Sequence, residues 1–277
     1  MDWLWYTGLC FCNYMESQIL KSFISRVVAG RILLFLASIL LLAHCSHSEV
    51  NKEDPDALFK DAEEAFKDER YLIALEKYRD IKNRFPYSTR AADSELRIAD
   101  SYFAQENFLE AESAYEIFKE LHPTHPRSDY VQYRIGMSYY SEIPGNTARD
   151  LSAAYKAIEA FTVLFEKYPS SEYVAKAKEN ILEARKKLAE HENYVADFYY
   201  QRKHYLSASY RYAALIKDYP SMGYDEEALY RMGQCYYHIG MYSNAIDAFK
   251  RLISQFPISG YRGESETLIA TMSKKEN

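Results

Sequence analysis

Few side chains in this 277-residue chain sit where chemistry could be done. His122 and His125, in His-Pro-Thr-His-Pro, have a three-residue spacing that could suggest two metal ligands. The interleaved prolines forbid a helix that would aim both rings at one ion, and no cysteine or further histidine lies near in sequence. The pair is therefore expected to fix a turn, and no metal site is expected. Carboxylates abound, but at helix-surface spacing beside Lys or Arg, as in Glu183/Lys187, the pattern of a solvated face. The nine glycines are scattered, with no G-x-G and no loop to cradle a phosphate, so neither a cofactor nor catalytic residues are expected. A net charge of −6 without a basic patch argues against nucleic acid as a partner.

One cysteine suggests a different chemistry. Ile32 to Ala43 is a run of twelve residues, nearly all apolar, preceded by Lys21, Arg26 and Arg31. It is short of the roughly 20 residues that span a bilayer, and its basic flank and short core are those of a secretory signal. It ends in Leu42-Ala43-His44-Cys45, which looks like a bacterial lipobox, where a thioether-linked diacylglycerol is added to the cysteine before cleavage. Residues 1–44 are thus expected to be a signal peptide, with translation starting later than Met1, at Met15 or near Val27 and Val28. Cys45 is the expected lipid attachment and 45–55 a polar tether; an ordinary signal peptide with an incidental cysteine is the alternative. Cys10 and Cys12 would be lost with the signal, leaving Cys235 without a partner, as a buried small hydrophobe.

The elements that would position a binding surface are legible as a repeated phrase. An alanine is followed four residues later by an aromatic, three later by an apolar residue and five later by a proline. It reads Ala74-Tyr78-Ile81-Pro86, Ala111-Tyr115-Phe118-Pro123, Ala157-Phe161-Leu164-Pro169, Ala208-Tyr212-Leu215-Pro220 and Ala245-Phe249-Leu252-Pro257. Upstream of each stands a small residue: Ala62, Ala99, Gly136, Ala196 or Gly233. A small residue lets a partner helix approach, an aromatic fills the space beside it, and proline ends the pair. This resembles the tetratricopeptide (TPR) repeat, a helix-turn-helix unit of about 34 residues. The expected fold is all-α, an α-solenoid of five TPR helix pairs at about 56–86, 88–123, 126–169, 171–220 and 224–257, with a capping helix and tail over 264–277. Asp56 is expected to cap the first helix. Two repeats carry insertions: Ser141–Asp150 forms a loop, and no breaker interrupts a single long helix from about Glu172 to Arg202.

In such an array the concave wall comes from the first helix of each pair. Counting from the small residue places Asp56, Phe59, Glu63 and Phe66 on it in the first repeat. Asp93, Leu96, Asp100 and Phe103 follow in the second, and Tyr130, Tyr133, Met137 and Tyr140 in the third. The candidate peptide groove is therefore Phe59, Phe66, Leu96, Phe103, Tyr133, Met137 and Tyr140, a run of apolar and aromatic side chains suited to an extended apolar peptide.

Several stretches in the same order resemble the BamD family of outer-membrane lipoproteins. They are Pro123-Thr124-His125-Pro126-Arg127-Ser128-Asp129-Tyr130-Val131 with Tyr133 and Gly136, Arg149-Asp150, Val195-Ala196-Asp197-Phe198-Tyr199 with Arg202, and Arg211 through Tyr219-Pro220. Lys203-His204 stand where the family has Gly-Ala, and His44 where a lipobox has a small residue. The resemblance implies a non-catalytic scaffold of the β-barrel assembly machinery, lipid-anchored in the outer membrane and facing the periplasm. Its N-terminal repeats would receive unfolded β-barrel precursors and its C-terminal repeats the POTRA domain of BamA, with other lipoproteins of the machinery as further partners. Arg211 matches the family's BamA contact; an ion pair with a neighbouring helix, through Asp197 for instance, is the alternative. The rival reading is another periplasmic TPR lipoprotein, serving envelope division or secretion.

Overall fold

Asp54 begins the first helix: its carboxylate accepts a hydrogen bond from the Asp56 amide at 3.0 Å, and Pro55 occupies the first helical position. The cap is thus two residues earlier than the expected Asp56, which instead lies in the first turn, where its charge faces the positive end of the helix. In this computed structural model, residues 51 and 53–274 are described; the expected signal peptide, Cys45 and most of the tether lie outside them. The described residues form eleven α-helices and no strand. These are α1 (Pro55–Lys67), α2 (Tyr71–Arg84), α3 (Thr89–Ala104), α4 (Phe108–Leu121), α5 (Ser128–Ser141), α6 (Ser152–Lys167), α7 (Val174–Gln201), α8 (Tyr205–Asp218), α9 (Asp225–His238), α10 (Tyr242–Gln255) and α11 (Arg262–Ser273). Each helix packs on the next, and α1 also touches α3 and α5 touches α7, so the first helices of successive pairs are neighbours.

The turns repeat as faithfully as the helices. Glu69, Glu106, Lys203 and Gly240 join the helices of their pairs in the left-handed conformation. In each case the amide of the following residue donates to a carbonyl five residues back, on Ala65, Tyr102, Tyr199 and Tyr236, which is a Schellman closure. Lys203, where the resemblance implies a glycine, accepts φ 62° with a Cβ. The second helices end at Phe85, His122, Tyr168, Tyr219 and Phe256, each immediately before its proline. A residue before proline is barred from the helical region, so the helix cannot continue through it.

Inside each pair, one close approach sets the packing, and the chain makes it in two ways. In repeats one, two and four, alanines 62, 99 and 196 are followed by an acid, and a tyrosine lies opposite. Tyr78, Tyr115 and Tyr212, buried to the last atom, donate to Glu63, Asp100 and Asp197 at 2.6, 2.6 and 2.5 Å. In repeats three and five the small residue is glycine, the next is Met137 or Gln234, and a phenylalanine replaces the tyrosine. There a Cβ on Gly136 would lie 2.5 Å from Phe161, and one on Gly233 2.6 Å from Phe249. A phenol needs an acceptor when buried and a phenyl ring does not, so ring and acid change together.

The two insertions pack on each other. Leu151 and Ala154, at the exit of the 142–151 loop, form one cluster with Ala184 and Leu188 of the long α7, joined by Tyr140, Ile143 and Ile158. His191 of α7 donates from Nδ1 to the Thr147 carbonyl at 2.5 Å. At the far end, Tyr261 stacks on Tyr230 at 4.2 Å and Met272 of α11 is fully buried against the last pair. Helix α11 thus closes the array as a half-repeat.

The close approach makes a direct prediction. Gly233→Ala places a methyl group against Phe249, and such overpacking costs about 1–3 kcal/mol. Gly260→Ala, with open space around it, is the control. Equal melting temperatures for the two variants would show that the helices do not approach as described.

Candidate functional site

The wall offered by α1, α3 and α5 is a ladder of rings and guanidinium groups. Arg90 lies over Phe59 with its guanidinium carbon 4.8 Å from the ring centroid, Arg97 over Phe66 at 4.9 Å, and Arg134 over Phe103 at 3.5 Å. The same rung recurs at the other end of the array, Arg231 over Tyr200 at 4.9 Å. Ring and arginine are 31 residues apart every time, because the arginine belongs to the first helix of the next repeat. Each cation–π contact contributes about 0.5–2 kcal/mol, and together they fix how one repeat sits on the next. Where α7 enters, Tyr194 stands two residues before Ala196, the place that Arg97, Arg134 and Arg231 hold before Ala99, Gly136 and Gly233.

Carboxylates hold the guanidiniums in position. Arg97 forks onto Glu63 and reaches Asp100 at 3.1 Å. Asp100, only 3% exposed, also accepts from the hydroxyls of Tyr115 and Tyr130 at 2.6 and 2.7 Å. Burial alone would raise the Glu63 carboxyl; hydrogen bonds from Arg97 and Tyr78 outweigh it and hold the group below the usual carboxylate range. Burial, with Asp100 beside it, pushes the Tyr130 phenol up to about 12. Arg134 donates to the Tyr115 hydroxyl at 3.0 Å, and no carboxylate among the described residues lies within ion-pair distance of it.

The expected groove residues fare differently. Phe59, Phe66 and Phe103 are half-buried beneath their arginines, so they present edges rather than open faces. Tyr133 stacks on Tyr173 at 4.9 Å, Met137 accepts from the Asn180 amide at its sulfur, and Tyr140 packs against Leu151, Ala184 and neighbours. The third-repeat residues therefore lean on α7 and its approach. Tyr130 and Tyr173 connect the two sets, with ring centroids 5.7 Å apart. Leu96 does not belong to the groove: it is 1% exposed, packed with Ala99, Phe118, Val131 and Ile135. Its position faces the next repeat's first helix, where Phe59 and Tyr133 are long enough to emerge and a leucine is covered. Asp100, expected on the wall, is buried for its tyrosine partners. The capping arginines were not anticipated; their mark in the sequence is the recurring 31-residue interval from ring to arginine.

Arg211 is half exposed on α8 and pairs with Glu192 of α7 at 3.2 Å. Asp197, the expected alternative, is occupied by Tyr212 and by the amide of Asn193. Tyr210 and Leu206, 65% and 48% exposed, flank Arg211 on the same helix. His122 and His125 both pack on Phe118, and His122 meets Glu95 at 2.7 Å, so the two rings brace the turn between repeats. Asp150 accepts from the Ser152 amide and hydroxyl at the start of α6, which holds its carboxyl below the usual range. Cys235 is fully buried, and burial pushes its thiol up to about 12. Among the described residues no three His, Cys, Asp or Glu side chains are grouped to hold a metal ion, and no helix is long and apolar enough to cross a membrane.

The outer membrane protein assembly factor BamD of Xylella fastidiosa strain 9a5c is 32% identical over 109 residues, 39% of this chain and 37% of that protein. BamD of Neisseria meningitidis serogroup A is 31% identical over 113 residues, 41% and 42% of the two chains. That of Vibrio cholerae is 29% identical over 110 residues, 40% and 45%. The chain therefore matches less than half the length of these relatives. Among solved structures, the TPR2AB-domain:pHSP90 complex of yeast Sti1 aligns with a TM-score of 0.42 at 15% identity, covering 80% of this chain and 83% of that one. The family model YfiO, described as outer membrane lipoprotein, matches residues 51–247, which take in all five helix pairs but the end of the last, and the chain belongs to that family.

Proposed function

We propose that this chain is a non-catalytic scaffold lipoprotein of the β-barrel assembly machinery, with two working ends. The first three repeats receive the C-terminal segment of an unfolded outer-membrane barrel precursor, and the C-terminal repeats hold the POTRA region of BamA around Arg211. Cys45 carries the lipid that anchors the chain to the outer membrane on its periplasmic side. The observation that carries this reading is the ladder of half-buried rings on α1, α3 and α5, in a chain whose family comprises outer membrane lipoproteins. Ring edges between fixed guanidiniums offer apolar contact and hydrogen-bond donors together, which suits an extended segment with alternating aromatic side chains.

The groove is tested with the full-length chain and a synthetic peptide copied from the C-terminal segment of an outer-membrane barrel. Phe103→Ala and Tyr133→Ala, each shown to be folded by its melting curve, should weaken binding by at least about thirtyfold, the loss of an interfacial hot spot. Undiminished affinity in both variants places the client elsewhere.

At the other end, the exposed pair between Arg211 and Glu192 is worth at most about 1 kcal/mol to the fold. Losing one partner of an interfacial charge pair costs about 2–5 kcal/mol of binding. Arg211→Ala should therefore leave the melting temperature nearly unchanged while the POTRA fragment of BamA dissociates far faster. A variant that melts early and binds normally would reduce Arg211 to an internal tie.

The anchor is tested by Cys45→Ser and membrane fractionation. The expected result is loss of the lipid-modified, processed form; its persistence would remove Cys45 from the account.

A further inference from the structure

The helices that face away from the ladder carry an unexpected load of bare aliphatic surface. On α2, Leu72 and Ile73 are 69% and 44% exposed; on α4, Leu109, Ile117 and Leu121 are 65%, 52% and 59% exposed. Leu109, Ile117 and Leu121 recur at eight- and four-residue intervals and form a stripe along α4. At its upper end, a cleft of about 540 Å³ lies between Leu72 and Ile73 on one side and Gln105 and Asn107, just before α4, on the other. The fold does not demand this surface. In the last pair the corresponding face of α10 is Ser243, Asn244, Asp247, Lys250 and Arg251, all exposed and polar, and Ser243 holds the place of Leu72 and Leu109.

The surroundings of the stripe state the charge of what would cover it. Glu69, Glu76, Glu106, Glu110 and Glu120 are all exposed around it, and none has a Lys, Arg or His within ion-pair distance among the described residues. Several acids elsewhere in the same repeats are matched: Asp61 to Lys77, Glu63 to Arg97, Asp80 to Arg84, Asp93 to Arg90. Acidic side chains also outnumber basic ones over residues 53–129, whereas the two balance over 130–274. An aliphatic stripe rimmed by unmatched carboxylates complements apolar side chains flanked by lysine or arginine.

We infer that the outward face of α2 and α4 is a second docking surface, separate from the ladder, for a basic amphipathic helix of a partner protein. Its aliphatic side chains cover Leu109, Ile117 and Leu121, and one of them enters the cleft beside Leu72. Its lysines or arginines meet Glu106 and Glu110 along the stripe. The acidic rim disfavours an anionic lipid surface, and a second copy of this face would repeat the same charge.

The test uses the full-length chain in neutral-lipid nanodiscs, with empty discs as the blank. The probe is a fluorescent 18-residue helical peptide of leucine and lysine, with leucine at i, i+3, i+4 and i+7, followed by anisotropy. Leu72→Ser with Leu109→Ser, and separately Glu106→Lys with Glu110→Lys, should each weaken binding by about tenfold or more. Asp218→Lys with Asp247→Lys, an equal charge change on α8 and α10, should leave it within about twofold at physiological salt. The same peptide with glutamate for lysine should not bind. Equal loss in the Asp218/Asp247 variant would reduce the effect to net charge and overturn the proposal. So would undiminished binding in the leucine variant, tight binding of the glutamate peptide, or a dimer of the free chain that the leucine variant dissociates.

Discussion

A helix pair in this array can close only where a residue with little or no side chain meets an aromatic ring, and that contact governs the rest. Where the small residue is alanine, the ring is a tyrosine whose hydroxyl is carried into the interior and must find an acceptor. Glu63, Asp100 and Asp197 stand in the next position for that reason. Where it is glycine, the helices come closer, the ring is phenylalanine, and the next position is free of charge. The acids brought in by the tyrosines then become resources for the following layer: Glu63 and Asp100 both hold Arg97, and Arg97 covers Phe66. A buried pair and an inter-repeat rung are thus parts of one network.

That network changes what the wall offers a partner. A groove of bare aromatic faces would be a large apolar patch on an otherwise polar surface, and an invitation to aggregation. Guanidiniums over the rings leave edges and donors instead, a surface that can hold a peptide without being sticky to everything. The regularity breaks at the third and fourth repeats, where the 142–151 loop packs on the middle of α7 through Leu151, Ala184, Leu188 and the His191–Thr147 bond. The break lies between the ladder and the Arg211 region, the two ends of the proposed scaffold.

Much of this was legible in the residues. The fivefold phrase located every helix pair, the prolines located the ends of the second helices, and the uninterrupted run after Glu172 announced α7 within two residues of its limits. The failures came where a residue's fate depends on another repeat. Helix-face counting put Leu96 and Asp100 on the wall, but burial there is decided by the helix arriving from the next repeat and by the hydroxyls of Tyr115 and Tyr130. Counting within one helix cannot show that Arg97 reaches back over Phe66, although the 31-residue interval, repeated four times, carries that information. The choice of Asp54 over Asp56 as cap follows from Pro55, which fits the first turn of a helix as well as the end of a tether. For Arg211 the helical neighbour was anticipated but not the particular acid, because Tyr212 claims Asp197 first.

The proposed two-ended scaffold makes a claim about where two partners touch one chain. Hydrogen–deuterium exchange of the full-length protein measures that most directly, with a barrel-precursor C-terminal peptide and with the POTRA region of BamA added in turn. The account predicts slowed exchange in α1, α3 and α5 with the peptide and in α7 and α8 with the POTRA region, neither footprint displacing the other. A peptide footprint on α7 and α8, or mutual displacement of the two partners, would contradict it.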